Sequence, residues 1–160
     1  MKNQEKYNKK PDAKQGGGVF GSLGDKPGEF NNPRGVCLQP ATNNIIVTDL
    51  NNHRVQVFSN PEDCKEFKSL YIVGGPQQSK EPEIFKNPYG VACNNRSHII
   101  VADSFNHRVQ ILDEKGRFIR SMGTTGEPGS SNHLFYQPRD VCVDRNNHNQ
   151  ILVADFWNRR

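Results

Sequence analysis

Short apolar stretches separated by polar turns run along most of the chain. Residues 35–38 form one such stretch, and the turn at residues 40–44 separates it from residues 45–47, which are apolar at consecutive positions. A consecutive apolar run of this length predicts a strand that is buried on both faces. The segment Arg54–Phe58 alternates polar and apolar residues, which predicts a half-exposed outer strand. The segment Ser69–Gly74 supplies a fourth strand.

The same pattern occurs three times, over residues 28–58, 83–112 and 133–160. A proline recurs at spacings of 55 and 50 residues, and an aspartate at spacings of 54 and 52. These markers are Pro33, Pro88 and Pro138, and Asp49, Asp103 and Asp155. A period near 50 residues that contains only strand-like runs predicts the blades of a β-propeller.

The predicted fold is therefore all-β, a partial β-propeller with repeats at about residues 20–74, 75–123 and 124–160. It comprises two full four-stranded blades and a truncated third blade. Residues 117–123 supply the fourth strand of the second blade, and residues 19–21 form the outer strand of a preceding blade. Because propellers contain about four to eight blades, we expect a fragment of a longer protein or a ring completed by association.

The repeated residues resemble a known family. The patterns F-x-x-P-x-G-V, I-I-V-x-D and N-H-R-V-Q-V-F are similar to the NHL repeat, and most similar to that of the tripartite-motif (TRIM) NHL proteins. This resemblance implies a propeller of the NHL type that binds RNA or protein partners in post-transcriptional regulation. The alternative it implies is a partner-recruiting propeller of a ubiquitin ligase whose RING lies outside this chain. The third unit departs from the pattern at Asp140, which replaces glycine, and at Arg159, which replaces histidine.

Polar residues that recur in every unit are expected to be structural. The aspartate of each I-V-x-D is predicted to cap the following turn through its side chain. The Asn-His-Arg triplet is predicted to fix that turn and contact the next blade. The residues assigned this structural role are Asp49, His53, Arg54, Asp103, His107, Arg108, Asp155 and Arg160.

One end of each blade is predicted to bind partners. In a meandering blade, the loop between the second and third strands shares a face with the entry to the first strand. The candidate binding residues on this face are Arg34, Tyr89, Arg139, Asn51, Phe105, Phe156 and Trp157. Guanidinium groups beside exposed aromatic rings suit single-stranded or stem-loop RNA, and the same residue types form protein hot spots.

Two structural explanations stay open for this face. The aromatic residues Phe105, Phe156 and Trp157 could instead pack against the neighbouring blade. The two arginines, Arg34 and Arg139, could instead pair with the loop acids Asp25, Glu29 and Glu127.

Composition and charge distinguish the first 18 residues from the rest of the chain. Apolar residues make up 33% of the chain, and 14 glycines and 10 prolines favour short strands joined by turns. Of the net charge of +4, residues 1–18 contribute +3, from five lysines against Glu5 and Asp12. We expect these residues to be a disordered basic leader, with a basic arm that touches RNA or an acidic partner as the alternative. Residues 19–160 form the partial propeller.

Neither catalysis nor metal binding is predicted. His53 and His107 occupy equivalent repeat positions, which indicates structure rather than a metal site. No zinc-binding C-x-x-C pair, phosphate loop or nucleophile elbow is present, so we expect no cofactor, no catalytic residue and no small-molecule substrate. A propeller enzyme such as an amidating lyase remains the least favoured alternative.

The cysteines and the leader bear on the compartment. We expect Cys37, Cys93 and Cys142, which lie in apolar strands, to be buried reduced thiols. Without a signal peptide or a long apolar segment, we expect a cytoplasmic protein that does not enter a membrane. The full-length protein could oligomerise through regions outside this chain.

Overall fold

The computed structural model describes residues 19–60, 66–75 and 84–160. Two short strands, β1 (Ser22–Leu23) and β2 (Glu29–Phe30), pair in parallel and precede the first blade. Blade one contains β3 (Pro33–Leu38), β4 (Ile45–Asp49), β5 (Arg54–Phe58) and β6 (Ser69–Gly74). Blade two contains β7 (Pro88–Cys93), β8 (Ile99–Asp103), β9 (Arg108–Leu112) and β10 (Phe118–Met122). Blade three contains β11 (Pro138–Asp144) and β12 (Gln150–Asp155).

Each full blade is an antiparallel meander. The strand orders are β3-β4-β5-β6 and β7-β8-β9-β10, and β11 pairs with β12. The first and second strands of the three blades pair in the same register. The proline that begins each first strand lies opposite the aspartate that ends the second: Pro33 opposite Asp49, Pro88 opposite Asp103 and Pro138 opposite Asp155. Consecutive antiparallel meanders of this kind are the blades that the sequence predicted.

The first strands of the three blades lie side by side, with β7 between β3 and β11. Gly35 explains how closely they approach. A Cβ atom at this position would lie 2.6 Å from the Tyr89 carbonyl oxygen and 3.1 Å from the Gly90 Cα. Since real Cβ atoms essentially never come within 3.0 Å of another heavy atom, the 2.6 Å contact means that only glycine allows β3 to contact β7 here.

Two hydrophobic clusters hold the blades together. The cluster between blades one and two joins Ile46, Val55 and Val57 to Val91, Ile99 and Val101. The cluster between blades two and three joins Ile100, Ala102, Val109 and Ile111 to Val141. The second strand of blade two therefore supplies apolar side chains to both clusters. In blade one, Ile46 enters the first cluster and Val47, which lies on the other face of β4, is also buried, as residues 45–47 predicted.

The alternating strand Arg54–Phe58 is not half-exposed, so that prediction is wrong. All five of its residues are buried, and so are all five of β9. Both strands are third in their sheets, paired on either side with another strand. In these strands the alternation of polar and apolar residues therefore does not mark a solvent-exposed face. The polar side chains lie on one buried face of the strand and the valine and isoleucine side chains on the other.

Two further predictions are wrong. Residues 19–21 do not form a strand; β1 follows them at Ser22–Leu23, and Phe20 packs on the rings of Phe30, Phe58 and Phe67. Cys142 is exposed and not buried. Residues 1–18 and Cys64 lie outside the described residues, so the prediction for the leader is not tested.

Candidate nucleic-acid or protein interface

A buried carboxylate organises each blade from the end of its second strand. In blade one, Asp49 accepts hydrogen bonds from the Arg54 Nε at 2.8 Å, the Asn52 amide at 2.8 Å and the Gln56 amide at 3.3 Å. Its other oxygen accepts the backbone N–H of Asn31 at 2.7 Å. The aspartate is fully buried, so these donors replace its lost hydration.

Blades two and three repeat this arrangement. Asp103 accepts from the Arg108 Nε at 2.7 Å, and Asp155 accepts from the Arg160 Nε at 3.0 Å. A short 3-10 helix follows each of these aspartates, Ser104–Asn106 and Phe156–Asn158, and neither aspartate caps it through its side chain. The predicted turn cap is therefore wrong for Asp103 and Asp155, because the carboxylate is engaged by side chains from the turn and the third strand.

The arginine of each network also binds the loop that leads into its blade. Arg54 donates to the carbonyls of Asp25, Lys26 and Glu29, and Arg108 donates to the Ile84 carbonyl at 2.9 Å. All of these acceptors are backbone carbonyl groups of this chain. These guanidinium groups consequently serve the fold, and they leave the loop arginines as the candidates for a ligand.

A histidine links each full blade to the next. The His53 Nδ1 accepts the backbone N–H of Asn87 at 3.1 Å, and the His107 Nδ1 accepts that of Gln137 at 3.1 Å. Both residues adopt left-handed φ angles, 53° and 56°. Burial, followed by the positive charge of Lys86, lowers the pKa of both imidazoles. The neutral ring can then accept a hydrogen bond at an unprotonated Nδ1. Their contact with the next blade agrees with the prediction.

The loops after each second strand share a face with the entries to the first strands. The backbone N–H of Leu50 donates to the Asn32 carbonyl at 3.3 Å, that of Phe105 to Lys86 at 3.0 Å, and that of Trp157 to Tyr136 at 3.1 Å. This is the arrangement that the meander rule predicted for the candidate residues.

Five of those candidates form one continuous cation–aromatic row across the three blades. The row consists of Arg34, Tyr89, Arg139, Phe156 and Trp157. The guanidinium carbons of Arg34 and Arg139 lie 5.5 Å and 5.3 Å from the Tyr89 ring centroid, and that of Arg139 lies 3.6 Å from the Phe156 centroid. Distances below about 6 Å are typical of cation–π contacts.

Arg139 holds the centre of the row. Its Nε is buried and makes no hydrogen bond, although a guanidinium can donate five. Among the residues that the structure describes, neither Arg34 nor Arg139 forms an ion pair. The alternative that they pair with Asp25, Glu29 or Glu127 is therefore wrong for the described part of the chain.

The aromatic end of the row is exposed but anchored. The side chains of Phe156 and Trp157 are 44% and 55% exposed. The Trp157 Nε1 donates to the Gln137 Oε1 at 2.7 Å, and its ring contacts those of Phe156 and Tyr136. Each ring therefore keeps part of its surface open to solvent while its orientation is fixed.

Two candidates lie on this face outside the row. Phe105 is 40% exposed and is in no ring contact with another described residue. The Asn51 amide donates to the Asn31 side-chain oxygen at 3.0 Å.

The sequence analysis missed one aromatic residue of this face, Tyr136, which is 41% exposed and contacts the rings of His107 and Trp157. Its repeat position is Asn31 in blade one and Lys86 in blade two, and that variation was the available signal.

The described residues contain neither a metal-binding cluster nor a membrane-spanning helix. No three His, Cys, Asp or Glu side chains there are grouped so that they could hold a metal ion. No helix in the same residues is long and apolar enough to cross a membrane.

Comparison with known families and proteins agrees with the repeat. The family model for the NHL repeat matches residues 30–58. Protein brain tumor of Drosophila melanogaster is 32% identical over 136 residues, and the match covers 85% of this chain and 12% of that protein. The B-box type zinc finger protein ncl-1 of Caenorhabditis elegans is 29% identical over 136 residues, covering 85% and 14%. The chain thus spans a small part of these two relatives.

A shorter relative and two solved structures are also similar. NHL-repeat-containing protein 4 of Mus musculus is 31% identical over 100 residues, covering 61% of this chain and 62% of that protein. An auxiliary nutrient binding protein from Bacteroides thetaiotaomicron has a TM-score of 0.63 at 18% identity, covering 78% of this chain and 35% of its own. A structural genomics protein of unknown function from the same organism has a TM-score of 0.64 at 16% identity, covering 78% and 32%. At these identities the structural likeness concerns the fold.

Proposed function

Because the chain is an NHL-repeat protein whose blades form part of a β-propeller, we propose that it is a non-catalytic interaction module. Its ligand is single-stranded RNA, bound on the face that carries the cation–aromatic row. Residues 19–160 act as the binding unit and residues 1–18 as a separate basic leader. The module works in the cytoplasm as part of a TRIM-type regulator.

The observation that supports RNA is the row itself, which interleaves cations with rings. Arg34 and Arg139 have no acidic partner among the described residues, and the buried Arg139 Nε makes no hydrogen bond. A guanidinium in this state can bind a phosphate without first breaking an ion pair. Tyr89 and Trp157 offer flat surfaces on which bases can stack.

Each member of the row has a distinct role in this proposal. Arg139 binds a phosphate oxygen while it remains stacked on Phe156. Tyr89 and Trp157 each stack on a base, and a stacked base is worth roughly 1–3 kcal/mol. Arg34 adds a second phosphate contact at the blade-one end, where its side chain is exposed.

The test measures the affinity of the full chain for a labelled single-stranded RNA at several salt concentrations. We expect Arg139→Glu to lower the affinity and to reduce the slope of log K against log salt by about 1. Tyr89→Ala is expected to raise the Kd by roughly 5- to 150-fold. Circular dichroism should show an unchanged fold in both variants.

A matched control is available at the opposite end of blade two. Arg96 is exposed in the turn between β7 and β8, away from the row, so Arg96→Glu makes the same charge change and should leave RNA affinity nearly unchanged. Equal losses in Arg96→Glu and Arg139→Glu would contradict the proposed face. If the chain binds no RNA but captures a protein, such as a substrate of a ubiquitin ligase, and Tyr89→Ala weakens that capture, the ligand is a protein.

A further inference from the structure

Two thiols face each other across the interface of blades one and two. Cys37 lies on β3 and Cys93 on β7, and their Sγ atoms are 3.7 Å apart. Cys93 is 1% exposed, whereas Cys37 is only partly buried. The cysteines occupy repeat positions one residue apart. Because successive side chains of a strand point to opposite faces, that offset turns Cys37 towards blade two and Cys93 towards blade one.

The two strands that carry these thiols approach each other closely near the cysteines. Gly35, two residues before Cys37, approaches the Gly90 Cα so closely that a Cβ there would lie 3.1 Å from it. A disulfide requires Cα atoms within about 7 Å of each other and sulfurs about 2.05 Å apart. The sulfurs therefore need to approach by about 1.7 Å, which rotation of the two side chains can provide.

A cavity gives small oxidants access to the pair. It has a volume of about 480 Å³, and both cysteines line it together with Arg145. The Arg145 Nε donates to the Cys93 carbonyl oxygen at 3.1 Å, which holds the guanidinium beside the thiols. A fixed positive charge beside a thiol favours the reactive thiolate.

The two sulfurs differ in acidity. The hydrogen bond between the two thiols lowers the pKa of Cys93, as does the charge of Arg145, while burial opposes both. The same hydrogen bond raises the pKa of Cys37, and burial raises it further. We consequently expect Cys93 to be the sulfur that ionises first.

We propose that Cys37 and Cys93 are a redox-active dithiol, which hydrogen peroxide oxidises to a disulfide between blades one and two. The Cys93 thiolate attacks one peroxide oxygen and forms an S–O bond while the O–O bond breaks. Hydroxide is the leaving group, and Cys93 becomes a sulfenic acid. The Cys37 sulfur then attacks the Cys93 sulfur, the S–S bond forms and the sulfenic oxygen leaves as water. In total, two thiols lose two electrons and two protons, and one peroxide becomes two waters.

The disulfide would bridge two blades that are otherwise held together by side-chain packing and hydrogen bonds. It closes a long loop of chain between residues 37 and 93, and cross-links that close long loops restrict the unfolded chain most. Oxidation is therefore expected to raise the Tm by several degrees. Reduction should restore the original Tm.

The test treats the full chain with hydrogen peroxide, alkylates the remaining thiols and maps the peptides without reduction. We expect a cross-linked peptide pair that contains Cys37 and Cys93 and disappears after treatment with dithiothreitol. The wild-type map alone is decisive, so the test does not depend on the folding of a variant. The increase in Tm should be lost in Cys37→Ser.

Cys142→Ser is the matched control, because Cys142 is exposed and also borders the cavity. This variant should form the cross-link and show the increase in Tm as the wild type does. The proposal is overturned if Cys37 and Cys93 both remain open to alkylation after peroxide treatment. It is equally overturned if either is linked to Cys142 or Cys64 instead.

Discussion

Arginines occupy two kinds of position in this molecule, and their surroundings differ sharply. Arg54 and Arg108 are 5% and 2% exposed, and each is bound to a buried aspartate and to loop carbonyls. Arg34 and Arg139 lie at the first-strand entries, where they contact aromatic rings and form no ion pair with another described residue.

This difference separates the repeat positions that stabilise the fold from those that are available to a ligand. An arginine recurs beside the buried aspartate in every unit because each blade must neutralise the same buried carboxylate, and an unpaired buried charge is costly. The residue after the proline is Arg34, Tyr89 or Arg139, because packing does not prescribe it. Identity across the units therefore indicates a structural role, and variation within the face indicates a role towards a ligand.

Removal of a buried carboxylate is expected to have the largest effect. Asp103→Ala leaves the Arg108 guanidinium buried without its carboxylate, which should lower the free energy of unfolding by about 3–5 kcal/mol. Urea denaturation measures this loss. Asp155→Ala is the matched comparison and should cost less, because the side chain of its partner Arg160 is 40% exposed and water can solvate it. Equal losses of unfolding free energy in the two variants would show that the burial of the arginine does not determine how much its ion pair with the aspartate contributes to stability.

An added methyl group at the contact between β3 and β7 should have an intermediate effect. Gly35→Ala places a Cβ 2.6 Å from the Tyr89 carbonyl oxygen, and the required backbone shift should cost about 1–3 kcal/mol in urea denaturation. Gly75→Ala is the control, because nothing lies within 4 Å of a Cβ at that position. A neutral Gly35→Ala would mean that the two first strands are farther apart than described.

A change in pH should have the smallest effect. The folded-state pKa values of His53 and His107 are lowered, so between those values and the unfolded value of about 6.5 the unfolded chain binds more protons. Stability contributed by the neutral imidazoles is thus present above the unfolded pKa and is lost as the pH falls through the folded pKa.

Urea denaturation at neutral and mildly acidic pH measures this loss. The double variant His53→Asn/His107→Asn should lose less stability on acidification than the wild type, since Asn tolerates the left-handed backbone and does not titrate. A wild type and double variant with the same pH dependence would exclude these histidines as its source.

The sequence predicts the strands and the blade order well, for local reasons. The apolar run at residues 45–47 and the proline and aspartate spacings are set by packing against neighbouring blades, so they are visible in the chain itself. The burial of Arg54 and Gln56 is not visible, because polar alternation normally indicates a solvent-exposed face. Only the position of Asp49 on the adjacent strand reveals that these side chains have a buried partner.

The candidate face is predictable in outline but not in its contacts. The meander rule places Tyr89 and Arg139 on one face, whereas their stacking depends on how blades two and three are placed relative to each other. The pairing of Cys37 with Cys93 depends in the same way on two blades. A sequence pattern records what one blade repeats, and these contacts form between blades where the units differ.

The most direct measurement compares Arg108→Gln with Arg139→Gln by urea denaturation and by RNA affinity. We expect Arg108→Gln to lower the free energy of unfolding by about 3–5 kcal/mol, because it removes the only positively charged partner that the described residues give to the buried Asp103. Arg139→Gln should leave stability within about 0.5 kcal/mol and should weaken RNA binding, with a shallower salt dependence. A loss of stability in Arg139→Gln as large as that in Arg108→Gln, with RNA affinity unchanged, would contradict the division between structural and ligand-binding arginines.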